Sequence, residues 1–539
     1  MVAITLNSFG GLSKKLSARM LPESMGVEVN NVDFSHGSLR PMASDSPISV
    51  TFSLGSPSGS SKTLYKTAQN KWFAFNNVVN VVESPVAEDQ YDRVYFTGRG
   101  SYPEIAANQS INNIYKLAIP RPPKPSVALA PNPSLNVTTE TPISRAYLAT
   151  YVTAFGEEGP SSEVDPQDII DVYTDQTVTV TVGSATGTRN YAYIRLYRTD
   201  EDGVFRFVHQ GLSSGYSFAD TVPDDRLGEE VPSRDWVGPP DGMIGLTAIP
   251  NGIVAGFEDQ TVFFSEAYLP HAWPEEYRLT TKYPIVGIAP LDTGLLVLTK
   301  GKPSVVQGAD PAGMVMTELD VAQSCVSQRS IVDMGSSVIY ASPDGLVEIS
   351  SSGASVVTDR LFTREQWQAD YSPSSIRAFL WEDRYVAFSN TQSFIYDPRG
   401  GQASLTHIDS NHVAGFNDLA SDSLYVINAS GSVRTFAGAS SWDTYDWESK
   451  HFFTQRPVNL GVVQVSFAQD LGAGDTTIVL YGGDGEPTTS LHTEVIPDTT
   501  DIATFRLPSG YKYNVYQITI NGMREISALT AAESPQELR

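Results

Sequence analysis

Between Ile244 and Phe436 the chain repeats one pattern five times, and a repeat of that length leaves few architectures open. The copies are IGLTAIPNGIVAGFEDQTVFFSEA from Ile244, IVGIAPLDTGLLVLTKGKPSVVQG from Ile285, SIVDMGSSVIYASPDGLVEIS from Ser330, IRAFLWEDRYVAFSNTQSFIYD from Ile376 and HVAGFNDLASDSLYVINASGSVRTF from His412. Each reads strand, turn, strand, turn, strand, and successive starts lie 36 to 46 residues apart. Short antiparallel strands at that period are the mark of propeller blades of about four strands each. The turns agree: Asp344-Gly345 and Ser430-Gly431 suit positive φ, and Asn251-Gly252 is the strongest short hairpin signal. Strands as apolar as LLVLT and SVIYA need both faces covered. A solitary solvated sheet does not provide that, whereas blades stacked face to face around an axis do.

The flanking sequence is also strand-rich. SVTFSL, WFAFNNVVNVV, RVYFTG and NIYKLAI lie between about Val50 and Leu117, and RVYFTGRGSYPEIA from Arg93 echoes QTVFFSEAYLPHAWP from Gln260, which adds a sixth blade. Ahead of them Leu12, Leu16 and Met20 recur every four residues and predict one or two helical turns ended near Pro22. The proline-rich PRPPKPSVALAPNP opens an insertion, in which about seven strands in about 110 residues, with no helical stretch, read as an immunoglobulin or fibronectin III sandwich. Inside the blades, TDRLFTREQWQADY from Thr358 predicts a short helix, because Thr363 and Gln366 stand at capping-box spacing. From Trp442 strands resume as a C-terminal β-rich domain, ending in AAESPQELR, which reads as a frayed polar tail. The expected fold is therefore all-β: a six-bladed β-propeller with an inserted fibronectin III/Ig-like sandwich and a C-terminal β-domain. The segments are 1–120 (N-terminal segment and one blade), 121–236 (sandwich), 237–440 (blades) and 441–539 (C-terminal domain).

Charge and chemistry narrow the function. Against 36 Lys and Arg stand 61 Asp and Glu, a net charge of −25, so a phosphate-neutralising nucleic-acid surface is disfavoured. The one cysteine, Cys325, excludes an intrachain disulfide and any multi-thiolate metal site, and reads as a buried thiol. No run approaches the length and apolarity of a membrane-spanning segment, and the Lys14, Lys15, Arg19 cluster lacks the apolar stretch of a signal peptide. Three sequons, at Asn108, Asn136 and Asn428, have no weight without a secretory route. The chain has no H-E-x-x-H or G-x-S-x-G, and GLLVLTKGK from Gly294 puts Pro303 where a phosphate loop needs Ser or Thr. His407, Asp409 and His412 read as a polar turn, and Asp200 to Gly203 as a hairpin turn rather than a calcium loop. Asp344 in SPDGL invites comparison with the Asp-box turn of sialidases, but Leu346 and Val347 replace the Thr-Trp that follows the glycine there. No catalytic, cofactor-binding or metal-ligating residue is assigned.

Several stretches together carry a family resemblance. GEEGPSSE at Gly156, IRLYRT at Ile194, PNGIVAGF at Pro250, FSEAYLPHAWPEEY at Phe264, CVSQRSIV at Cys325, YASPDGLVEI at Tyr340 and LFTREQW at Leu361 resemble, in order, the tail nozzle or tail hub (tail tubular protein B-like) proteins of short-tailed bacteriophages. So does the opening SFGGLSKKLSARMLPESMGVEVNNVDFSHGSLRP from Ser8, while the last 80 or so residues match in architecture only. The resemblance implies a structural protein of the virion tail, without enzyme activity or cofactor. It further implies a homo-hexameric ring below the portal and its head-to-tail adaptor, with tail fibres or spikes at its side. DNA would pass through its channel without sequence-specific binding. The alternative from another class is a glycan-degrading or glycan-binding β-propeller protein.

The insertion reading predicts that residues 121–236, expressed alone, form a soluble all-β domain with one cooperative melt by circular dichroism. A molten or insoluble fragment contradicts it.

Overall fold

The computed structural model describes residues 3–131, 141–173, 176–292, 294–468 and 474–538. The fold is all-β and propeller-like, made mostly of small antiparallel sheets. Among the described residues the only α-helix is Arg364–Tyr371, and no helix is long and apolar enough to cross a membrane. The chain divides into two compact units. The first comprises Met1–Asn76, Lys300–Pro303 and Asp320–Arg539, and the second Asn77–Thr299 and Ser304–Leu319. Two segments expected from sequence, 1–120 and 237–440, are therefore each shared between the units.

In the first unit, Val332–Asp333, Ser337–Ala341, Leu346–Ser350 and Gly353–Val356 form one four-stranded meander, and Arg377–Trp381, Arg384–Phe388, Ser393–Tyr396 and Leu405–Ile408 form another. A third, His412–Asp418, Ser423–Asn428 and Val433–Thr435, receives its outer strand from the other end of the chain: Ser46 and Pro47 pair with Thr435 and Arg434. Phe52–Gly55, Thr63–Lys66 and Trp72–Phe75 make an additional three-stranded sheet, not expected as a separate element, in which central Trp72–Phe75 runs parallel to Phe52–Gly55 and antiparallel to Thr63–Lys66. The turn chemistry read from sequence is present, with Gly345 and Gly431 both at positive φ. The helix also forms as expected. Gln366 N donates to Thr363 Oγ1 at 3.3 Å and Thr363 N to Gln366 Oε1 at 2.9 Å, closing the capping box, while buried Trp367 donates Nε1–H to Ser342 O at 2.9 Å.

The N-terminal residues are woven into this unit, not set apart from it. Ala3–Leu6 is an edge strand on Ile526–Ala532, which pairs onward with Val462–Phe467, and that strand in turn with Ile502–Arg506. Gly26–Asn30 bridges the Leu405–Ile408 strand and Tyr445–Ser449, so one meander continues into the C-terminal strands as a ten-stranded sheet. Gly26 is required there because a Cβ would meet Val29 Cγ2 at 2.6 Å and Glu448 O at 3.0 Å.

Two expectations are corrected by this weave. The spacing of Leu12, Leu16 and Met20 does not make a helix: Leu12 N donates to Leu405 O and Lys14 N to Leu361 O, so tertiary acceptors replace the i−4 carbonyls. Leu12 is buried, whereas Met20 is 68% exposed. The C-terminal stretch does not begin as a frayed tail, since Ala531 and Ala532 are fully buried strand residues paired on both sides and Ser534 caps a short 3-10 turn.

The second unit holds three more four-stranded meanders. Asn80–Glu83, Arg93–Thr97, Glu104–Ala107 and Ile114–Lys116 form the first, at the place the echo at Arg93 marked. The others span 244–280 and 285–318, and in the former Asn251 and Gly252 both take positive φ, at 65° and 72°. Within the 121–236 insertion two three-stranded sheets face each other: Ser126–Leu129, Val178–Val182 and Tyr216–Asp220 against Tyr147–Thr153, Tyr191–Thr199 and Phe205–Leu212. Tyr147, Ala149, Val178, Val180, Ile194 and Leu196 fill the space between them.

Leu6 is 2% exposed in the core beneath the N-terminal strand. Leu6→Ala is expected to lower the stability of the chain by about 2–5 kcal/mol in chemical denaturation. A loss below about 0.5 kcal/mol, the usual range of surface changes, contradicts the weave.

Candidate functional site

The residues weighed from sequence as chemical candidates are occupied structurally. Asp344 accepts from Gln323 Nε2 and from Arg364 Nη1, both at 2.8 Å, which ties a turn to the helix. Asp409 accepts from Asn30 and Asn31 side chains at 2.8 and 2.7 Å, His407 Nε2 meets Tyr371 Oη at 2.8 Å, and His412 Nε2 lies 2.8 Å from Asp45. Asp200 accepts from the backbone of Asp202 and Val204, as a hairpin turn requires, and Gly203 is at positive φ. Gly294–Thr299 is a strand. Cys325 is buried, and burial pushes its thiol up to about 12, so it is unreactive as a nucleophile at neutral pH. Asn108 is buried and Asn428 accepts from the backbone of Ser430 and Ser432, while Asn136 lies outside the described residues. Among the described residues no three His, Cys, Asp or Glu side chains are grouped to hold a metal.

The densest cluster of charge lies in the second unit, where the sandwich meets the 80–116 meander. Strand Tyr147–Thr153 is buried along its whole length and ends in a turn at Gly156, φ 79°, with Gly156 N donating to Thr153 O at 3.0 Å. That turn folds Glu157 and Glu158 back beside the strand. Glu157, its side chain 2% exposed, accepts from Arg93 Nη1 at 2.9 Å, from Arg189 Nη2 and from Thr153 Oγ1 at 3.2 Å. Arg93 comes from the meander and also donates Nε–H to Asp89 at 2.6 Å, whereas Arg189 comes from the sandwich. His271 places Nδ1 3.9 Å from Glu157 and packs edge-on against Trp236. Glu158 faces the sandwich itself, accepting from Thr150 Oγ1, Tyr197 Oη and Arg195 Nη1, each at 2.6 Å.

Burial and charge compete in this cluster. Burial alone would raise the Glu157 carboxyl, but Arg189, His271 and Arg93 outweigh it and hold it below the usual carboxylate range. Burial pushes His271 down to about 4 despite Glu157, so it is neutral at pH 7. A carboxylate held low by two guanidiniums is too weakly basic for general-base work at neutral pH; what the arrangement does is fix the sandwich against the meander. Removing one partner of such a buried pair leaves a desolvated charge and costs about 3–5 kcal/mol. Sequence reasoning did not find this cluster, because its members come from positions 89–93, 157, 189 and 271. The Glu doublet between Gly156 and Gly159 after an apolar strand was its one visible sign.

No protein-family pattern matches this chain, and no curated protein matches it. Solved structures are similar at low scores. The crystal structure of BBS1N in complex with ARL6DN shares 9% identity, covering 74% of this chain and 96% of its own, at TM-score 0.28. The exo-beta-1,3-galactanase Pc1,3Gal43A of Phanerochaete chrysosporium shares 10%, covering 90% and 100%, at 0.18. PorZ of Porphyromonas gingivalis, a component of the type-IX secretion system, shares 11%, covering 68% and 48%, at 0.24. Scores this low carry no inference about function.

The buried histidine predicts a pH dependence. Its folded value of about 4 lies below the ordinary 6.5, so as pH falls the unfolded chain takes the proton first. The stabilisation is complete above about pH 6.5 and is lost progressively toward pH 4, by about 2 kcal/mol between pH 7 and 5. Glu157 adds a loss below its ordinary 4.5. Denaturation curves of His271→Gln are expected to show a shallower decline between pH 7 and 5 than the parent chain; an unchanged slope contradicts the assignment.

Proposed function

We propose that the chain is a structural subunit of a short-tailed bacteriophage tail nozzle, and not an enzyme. The observation that carries this reading is the ordered run of family-like stretches, from SFGGLSKK at Ser8 to LFTREQW at Leu361, which spans most of the chain. In this reading six copies close a ring below the portal and adaptor, fibres or spikes attach at the side, and DNA is held and delivered through the lumen. Cyclic closure suits the task because it makes a tube without leaving an unsatisfied interface.

Two physical features support it. The first unit sews its amino-terminal strands into its carboxy-terminal sheets and into its last meander, so pulling on either end loads ladders of backbone hydrogen bonds. That suits a part exposed to the pressure of packaged DNA. The second feature is charge. Six copies at −25 each carry about −150, and acidic walls repel DNA, whereas Lys and Arg would hold it by counterion release. DNA then slides, and retention falls to a steric gate.

Native mass spectrometry of the purified chain or of the tail is expected to give a hexamer, and particles lacking the chain are expected to package DNA but fail to retain or deliver it. A monomer that releases reducing sugar from polysaccharide overturns the nozzle reading in favour of a glycan-degrading propeller.

A further inference from the structure

One four-stranded sheet of the first unit is left open at both of its edges. Its strand order is Ala3–Leu6, Ile526–Ala532, Val462–Phe467, Ile502–Arg506, and every neighbouring pair is antiparallel. In each outer strand alternate residues turn their N–H and C=O away from the sheet, and among the described residues no other backbone group takes them up. We propose that these two edges pair with each other between copies of the chain, Ala3–Leu6 of one copy beside Ile502–Arg506 of the next. The proposal rests on the nozzle reading only in taking a second copy as the partner, and it adds the surface through which copies join.

The sheet is built to be continued in this way. Ala3–Leu6 and Ile502–Arg506 run in opposite directions, so two copies set side by side in the same orientation bring them together antiparallel and extend the existing ladder. The faces agree as well. Ile4 and Leu6 are buried and Ala3 and Thr5 exposed, while Ala503 is buried and Ile502, Thr504 and Arg506 are exposed. A joined pair therefore keeps its apolar side chains on the covered face, which a slip of one residue would reverse. Neither strand has the proline, bulge or inward-pointing charge that usually blocks an exposed edge.

Charge distinguishes the two edges. A groove of about 370 Å³ runs along Ala3–Thr5, lined by Arg19 and Lys450 and by the exposed apolar side chains of Met20 and Phe453. Arg19 lies over the Phe453 ring, 4.3 Å from its centroid. The opposite edge carries the complementary set. Asp498 and Asp501, both exposed, sit in the turn that leads into Ile502–Arg506, and Val495 and Ile502 are its exposed apolar side chains. Among the described residues, Arg19, Lys450, Asp498 and Asp501 form no ion pair within their own chain. Glu23 in the groove and Arg506 on the far strand each offset one of these charges, which leaves the first edge positive and the second negative.

That difference also decides the symmetry. A two-fold contact would set Arg19 and Lys450 against their own counterparts, or Asp498 and Asp501 against theirs, and like charges oppose both. Pairing one edge with the other is heterologous instead. Each copy then offers a different edge to each neighbour, and where the rotation closes the product is a ring with no open edge left in this sheet. Backbone hydrogen bonds give such a contact its direction, and the flanking charges select the partner edge.

The test uses the whole chain. Thr5→Cys is combined in turn with Ile502→Cys, Thr504→Cys and Arg506→Cys, and each purified variant is mildly oxidised. Within one chain the paired positions are three strand spacings apart, about 14 Å, which no disulfide spans, so only contact between copies can join them. Cys325 is buried and takes no part. At least one pair is expected to give a ladder of covalent multimers on a non-reducing gel, and the single variants none. By sedimentation velocity in low salt, Arg19→Glu with Lys450→Glu, and separately Asp498→Lys with Asp501→Lys, are each expected to weaken self-association at least about tenfold at an unchanged melting temperature, and the chain carrying all four changes is expected to regain it. No cross-link in any of the three pairs, dimers from Thr5→Cys alone, or no recovery in the fourfold variant overturns the proposal. A parent chain that is hexameric by native mass spectrometry while no pair cross-links overturns this interface and leaves the nozzle reading standing. Cross-linking into open-ended polymers or a ring of another size supports the interface and counts against the nozzle reading.

Discussion

A strand that is apolar on both faces tolerates water on neither, and this constraint governs the whole molecule. Leu295, Leu296, Val297 and Leu298 are consecutive and all buried, as are Val338, Ile339, Tyr340 and Ala341. Alternating side chains point to opposite faces, so such runs demand cover on both sides. Small meanders stacked within each unit supply it. Because every meander needs its outer strand as well, the third meander of the first unit takes Ser46–Pro47 from far away in sequence, and that choice draws the amino terminus into the same unit.

Where the inserted sandwich meets its neighbouring meander, a directional force is added to the packing of Phe155 on Tyr91 and Tyr115. Apolar burial is non-directional and does not by itself set an angle. The Glu157 carboxylate, held by Arg93 from one side and Arg189 from the other, is directional, and its low exposure makes misalignment costly. Arg198 does the same inside the sandwich, fully buried and paired with Asp220 at 2.7 Å and with Asp224. In so acidic a chain these few buried cations are committed to structure.

Much of this was legible in the sequence. The repeat from Ile244, the echo at Arg93, the Asn251-Gly252 hairpin and the Thr363/Gln366 cap all rest on local chemistry, namely alternation of side chains, positive φ and a side chain reaching three residues. The stretch around Leu16 was misread for the complementary reason. Its four-residue spacing is a local signal, but the carbonyls of Leu361 and Leu405 offer its amides better partners than a lone helical turn does. The polar look of AAESPQELR similarly concealed two alanines that complete a strand pair.

The amino-acid order by itself therefore determined the fold class, many of the strand and turn positions, the capped helix at Arg364–Tyr371 and the acidic net charge. It did so because each depends on neighbours within a few residues or on composition alone. Only the tertiary structure decided which distant strands share a sheet, where the two units divide, and that Asp89, Arg93, Glu157, Arg189 and His271 converge. Those outcomes depend on which of many acceptors and charges come within about 3–4 Å once the cores have packed, and no spacing along the chain encodes that distance.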